Sequence, residues 1–234
     1  MARFMIACLV ATACAIPNLG WQSVSASCGG GTNHWWARGV SGTGSSAHGT
    51  EFQSYIPGHW SVDRPSLSIW DHAAWIWHGS ITNTNYGAVP SIEGGYYSGW
   101  FRSTGWTNGV VPYYTTSNGY GDSTSGLSYG SWYLTSGYGY YAQAVWGSPS
   151  WVKVGPYRFP SFNYTVGSSA TNFSQGEILQ STNTWMDGGG GNRFQNYWTP
   201  NGTNWYLWGV NTDCADSPYW IQWVSSNSYN DGGY

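Results

Sequence analysis

Charge is what this sequence has least of. Lys, Arg, Asp and Glu make up 7% of its 234 residues, against about 25% in ordinary soluble proteins, so solubility rests on hydroxyls and amides. No basic cluster exists with which to neutralise phosphates, which argues against nucleic acid as a partner even though 19% of the chain is aromatic. Good helix formers are also scarce, and no stretch repeats apolar residues at three-four spacing over several turns, which excludes a helical domain. There is no internal repeat and no proline-rich linker to mark a second domain. The histidines His34, His48, His59, His72 and His78 lack paired ligand spacing and no Cys-x-x-Cys is present, so neither a metal nor another cofactor is expected.

The longest apolar run lies at the start. Arg3 is followed by an apolar stretch from Phe4 to Ile16, then Pro17 and Gly20. That run is too short to span a bilayer and has the form of a cleavable export signal, with a small-residue cleavage pattern at Val24, Ser25 and Ala26. Residues 1–26 are therefore expected to be removed, leaving Ser27 as the mature N-terminus, a secreted product and no membrane association. Cys8 and Cys14 fall in the removed segment. Cys28 and Cys214 remain as an even pair in an oxidising compartment and are expected to bond to each other, the alternative being two buried thiols. Roughly 208 residues remain, enough for one well-buried domain.

What is present reads as strand. Short runs rich in Val, Ile, Tyr, Trp and Thr alternate with clusters of Gly, Asn, Ser and Pro, as in Ser68 to His78, Ser91 to Phe101, Gly130 to Tyr133, Tyr140 to Trp146 and Trp151 to Val154. That pattern predicts an all-β, antiparallel sandwich of jelly-roll type in a single domain spanning 51–234. YYAQAVWGSPSWVKVG reads as a hairpin turning at Gly147, Ser148, Pro149 and Ser150. Residues 27–50, mostly Gly, Ser, Thr and His around Trp35 and Trp36, read as a polar arm pinned at Cys28.

Glutamate is the scarcest informative residue, with only Glu51, Glu93 and Glu177. Two of them lie in strand-like apolar contexts, where a carboxylate needs a reason. In PSIEGGYYSGW the period-two rule puts Ser91, Glu93, Gly95 and Tyr97 on one face and Ile92, Gly94 and Tyr96 on the other. In NFSQGEILQSTNTWMDGGGG, Glu177 shares its side with Phe173, Gln175 and Leu179, ahead of a glycine run that would let a substrate backbone approach closely. A sandwich can bring distant strands together, and a close carboxyl pair splits its titration so that one acid and one base face a substrate. Spacing alone fits an outward-facing, solvated glutamate equally well.

These residues also carry a resemblance. LSIWDHAAWIWHGS followed by SIEGGYYSGW resembles the paired strands of the neprosin-like glutamic peptidases, which share their logic with the eqolisins, and the match maps a catalytic glutamate onto Glu93. VGPYRFP resembles the aromatic turn after that family's central hairpin, with Arg158 in place of an aromatic. SQGEILQSTNTWMDGGGGNRF resembles the segment bearing the second catalytic glutamate, here Glu177, with Gln175 where a glycine is usual and Asp187 interrupting the later motif. The resemblance covers roughly residues 65 to 200. It implies a secreted, acid-acting endopeptidase whose partner is a polypeptide substrate, in which Glu177 is the base and protonated Glu93 polarises the carbonyl. Tyr97, Gln175 and Trp185 are the candidate substrate-binding residues, with Gln53 a further supporting one. Neprosins carry a long activation peptide for which there is no room between Ala26 and the first strands.

Two other classes fit the same composition. Small jelly-roll xylanases also use two glutamates, with a Pro-x-Ile-Glu motif like PSIEGGYY, but no second Glu-Gly-Tyr strand is present. A non-catalytic sandwich binding sugars or proteins is the other. Gly126 to Gly130 spell a nucleophile elbow without the α/β alternation it needs. Asp213 and Asp216 beside Cys214 read as an acidic turn rather than a calcium site, and sequons at Asn163, Asn172 and Asn201 follow from composition.

Overall fold

The computed structural model describes residues 27–28, 33–40, 47–78, 90–101, 105–107, 109–118, 123–127, 133–164, 170–186, 192–209, 212–217 and 219–232. The expected export signal at 1–26 and the glycine run 188–191 lie outside them. Nineteen strands follow in chain order: β1 (His34–Val40), β2 (Gly49–Tyr55), β3 (Trp60–Ser61), β4 (Ile69–His78), β5 (Pro90–Phe101), β6 (Gly105–Trp106), β7 (Val111–Asn118), β8 (Ser123–Leu127), β9 (Gly139–Val145) and β10 (Gly147–Val154). The remainder are β11 (Tyr157–Arg158), β12 (Phe162–Tyr164), β13 (Ala170–Leu179), β14 (Trp185–Met186), β15 (Asn192–Thr199), β16 (Tyr206–Leu207), β17 (Thr212–Ala215), β18 (Trp220–Ser225) and β19 (Ser228–Gly232). One turn of 3-10 helix at Arg64–Ser66 is the helical content of the described residues.

The strands form two large antiparallel sheets. The first runs β17-β1-β13-β4-β5-β7-β8, with β6 on β5; the second runs β11-β10-β9-β2-β15-β19-β18, with β12 on β10 and β16 on β15; β14 and β3 make a separate ribbon. Inward side chains from both sheets meet in one core, where Phe52, Trp70, Ile76, Ile92, Tyr96, Phe194 and Tyr229 are fully buried. Rings face small residues across the gap. A Cβ on Gly94 would lie 2.4 Å from Val152, and one on Gly39 2.5 Å from Tyr229, so these glycines let the sheets close to contact distance. Phe194 stacks on Tyr229 at 5.0 Å and packs on Phe52 at 4.8 Å, joining β2, β15 and β19.

The expected hairpin forms: Val145 pairs with Trp151 and Ala142 with Val154. Its four turn residues do more than turn, because Gly147 and Ser150 also pair with Tyr164 and Phe162. Of the expected strand at Gly130 to Tyr133, Tyr133 is outside any strand, and 130–132 lie outside the described residues. The stretch 27–50 is pinned at Cys28, which is disulfide-bonded to Cys214, a bond of oxidising compartments. It is more than an arm, however. Residues 34–40 enter the first sheet between β13 and β17, because Trp36, Ala37 and Val40 supply buried area that flanking Gly, Ser and Thr conceal in the sequence. Asp216 secures the junction: its carboxylate accepts from the backbone N–H of Cys28 at 2.9 Å and of Trp36 at 3.2 Å, and from the Ser27 hydroxyl. Asp213 accepts from Trp223 Nε1 at 2.8 Å.

The core also holds a polar pair. His72 Nδ1 lies 2.9 Å from the Tyr96 hydroxyl, and His72 Nε2 lies 3.7 Å from Asp231 Oδ2, both residues being fully buried. Burial pushes the Asp231 carboxyl well above 3.8 and pulls the His72 imidazole down from 6.5 to about 3, each shift favouring the neutral form. Once pH climbs past 3.8 the unfolded chain releases the Asp231 proton and the folded one keeps it. Asp231 therefore weakens the fold as pH rises, by about 1.4 kcal/mol per unit until the folded group titrates. His72 acts oppositely, costing stability as pH falls from 6.5 towards 3. Asp231→Asn, always neutral, is expected to be more stable than wild type near pH 7, the gain shrinking to almost nothing near pH 4; denaturant titrations at the two pH values measure it.

Candidate functional site

The pleat of β4 and β5 divides their residues as the sequence pattern requires. Ile92 and Tyr96 point into the main core, while Tyr97 belongs to a second cluster with Ile69, Ala73, Val111 and Tyr113 on the other face of the sheet. Glu93 is on that outer face and is only 2% exposed. Tyr113, from the neighbouring β7, donates its hydroxyl to Glu93 Oε1 at 2.5 Å, a length typical of a hydroxyl on a carboxylate. Tyr97 packs edge-on against Tyr113, their ring centres 5.6 Å apart, so it is a wall behind Glu93 and is itself 1% exposed.

Registers across β1, β13, β4 and β5 locate the other positions. Trp36 pairs with Glu177, Glu177 with Asp71, and Asp71 with Tyr97. One row further on, Arg38 pairs with Gln175 and Gln175 with Ala73, which faces Gly95; one row beyond that, Phe173 pairs with Trp75 and Trp75 with Glu93. Positions 93 and 177 thus share a face but are not cross-strand neighbours. With strands about 4.8 Å apart and a rise of about 3.3 Å per residue, two strands and four positions put their Cα atoms roughly 16 Å apart. Ala73 and Gly95 lie between them. Gln175 is on the same face, whereas Trp185 is not: it sits on β14, opposite Ser61, in the separate ribbon.

Two residues that the sequence analysis did not single out belong to this face. Asp71, inside the quoted LSIWDHAAWIWHGS segment, is 5% exposed, and Arg38 is 4% exposed with its guanidinium 4.4 Å over the Trp36 ring. Arg38 brings a buried cation to the face that carries these acidic positions. The signal that could have found it was present: a chain with seven basic residues places one in an otherwise apolar HWWARGV run. The aromatic turn VGPYRFP is a tight reversal at Gly155 (φ +56°) between β10 and β11, with Arg158 4.4 Å over Trp151.

No family model matches the chain, and no curated protein matches it in sequence. In structure it is similar to scytalido-glutamic peptidase, solved with a peptide-based transition-state analog: the TM-score is 0.51 at 12% identity, over 86% of this chain and 98% of that one. It is similar also to SCP-B, a member of the eqolisin family of peptidases solved with the tripeptide Ala-Ile-His, with a TM-score of 0.48 at 10% identity over the same shares. At such identities the likeness is one of fold, an antiparallel sandwich of the kind seen in a glutamic peptidase.

Because the Tyr113 hydroxyl partners a buried carboxyl, Tyr113→Phe leaves Glu93 short of a donor. The variant is expected to lose about 1–3 kcal/mol of unfolding free energy, read from denaturant midpoints.

Proposed function

We propose that the protein is a secreted, acid-acting endopeptidase of the glutamic type, in which Glu93 and Glu177 carry out hydrolysis of a polypeptide by an activated water. The observation that carries this reading is Glu93: a carboxyl costs several kcal/mol to bury, yet this one is buried away from the main core and oriented by Tyr113. The neprosin-like motifs around both glutamates support it, as does the fold likeness to a peptidase solved with a peptide-based analog. The disulfide supports an exported protein.

In this reading the substrate lies across the gap over Ala73 and Gly95. Glu177 takes a proton from water as its oxygen bonds to the carbonyl carbon. Protonated Glu93 hydrogen-bonds the carbonyl oxygen, stabilises the oxyanion and passes its proton to the departing amine as the C–N bond breaks. Acid conditions supply the protonated partner. No cofactor is required.

Peptide release from a denatured protein by the purified mature chain tests this. Glu93→Gln and Glu177→Gln are each expected to lower the rate by roughly 10²-fold or more while far-UV spectra stay unchanged, and wild-type activity is expected to fall towards neutral pH. Undiminished release by either variant, or a flat profile from acid to neutral, contradicts the proposal.

A further inference from the structure

The third glutamate lies in a second cleft, on the outer face of the other sheet. Glu51, on β2, is 4% exposed, and its carboxylate accepts a hydrogen bond from the side-chain amide of Gln143 directly opposite on β9. The same row continues to Tyr197 on one side and Lys153 on the other. Tyr141, Tyr197 and Trp205 wall a cleft of about 300 Å³ over the pair, with the Tyr141 and Tyr197 rings 6.4 Å apart and Tyr141 44% exposed.

A carboxyl and an amide fixed side by side under open aromatic rings form a built polar floor with apolar walls, the usual form of a small-ligand site. Three features narrow the ligand. β2, β9 and β15 are interior strands, hydrogen-bonded on both sides, so no free edge offers backbone groups to an extended peptide. Among the described residues the cleft holds one acid, offset by Lys153, and no group of ligands able to hold a metal ion, so nothing in it calls for a charged ligand. Burial pushes the Glu51 carboxyl from 4.5 up to about 7, against the lowering effects of Gln143 and Lys153, so near neutral pH it offers O–H donor and acceptor alike.

We propose that this cleft binds the rings of a neutral saccharide, whose C–H faces pack on Tyr141 and Trp205 while its hydroxyls exchange hydrogen bonds with Glu51 and Gln143. It binds without cleaving, because glycoside hydrolysis of the usual kind needs a second carboxyl across the sugar and the described residues lining the cleft supply none. The inference stands apart from the peptidase reading: it concerns the other sheet and is read out by affinity.

The test titrates the mature protein with cellohexaose, xylohexaose and the hexamer of N-acetylglucosamine, following tryptophan fluorescence and heat. At least one is expected to bind at sub-millimolar concentration. Tyr141→Ala and Gln143→Met, the latter keeping volume while removing the amide, are each expected to weaken binding about tenfold. Tyr141 is half-exposed, so its variant folds and remains decisive if the other does not. Absence of binding by all three sugars at low millimolar concentration overturns the proposal, as does affinity that Tyr141→Ala leaves unchanged.

Discussion

Side-chain alternation along β13, β4 and β5 is the constraint on which the rest of the molecule depends. A slip of one residue would exchange every face, putting Glu93 in the core and Ile92 and Tyr96 outside it. The inner face resists such a slip through close fits. Gly94 admits Val152, Gly39 admits Tyr229, and a Cβ on Gly176 would strike the Asp231 carboxyl at 2.1 Å. The register that packs these contacts is the one that collects Arg38, Asp71, Glu93, Gln175 and Glu177 on the opposite face.

Having few charges, the chain treats its buried acids individually. Glu93 is held by a phenol, Glu51 by an amide with a lysine one strand further on, and Asp216 by two backbone N–H groups and a hydroxyl. Asp231, with His72 Nε2 3.7 Å away, is pushed towards its neutral form by burial. These are different solutions to one problem, that a carboxylate inside a sandwich must be paired, hydrogen-bonded or protonated. Asp216 has an architectural use, tying the first described residues to the far end of the chain beside the disulfide. Glu93 and Glu51 lie on outward faces, where the architecture does not need an acid.

Much of the fold was legible because strand periodicity is local. The runs at Ser68 to His78, Ser91 to Phe101 and Tyr140 to Trp146 become β4, β5 and β9 with small changes of boundary, and the Glu93 face is the one that period two assigns. β1 was not legible: its seven residues sit in a Gly- and Ser-rich setting, and their strand character comes from pairing with β13 and β17 rather than from propensity. Glu51 was passed over for a related reason. Its neighbours Thr50 and Gln53 look polar and solvated, and its burial comes from Tyr197 and Gln143, far away in the chain. Trp185 shares a motif with Glu177 but not a sheet, because sequence proximity across a turn says nothing about which ladder the chain joins next.

The sequence by itself determined the class of fold, the pairing of Cys28 with Cys214 as the expected bridge, and which residues share a face within each strand, since alternation follows from backbone geometry alone. Only the tertiary structure decided which faces meet. It set Asp71 beside position 177, laid Ala73 and Gly95 between the two glutamate positions, and assembled a third acid with Gln143 under a roof of rings. Those choices depend on ladder register between strands far apart in the chain, and register is settled by how whole faces pack rather than by any run of residues.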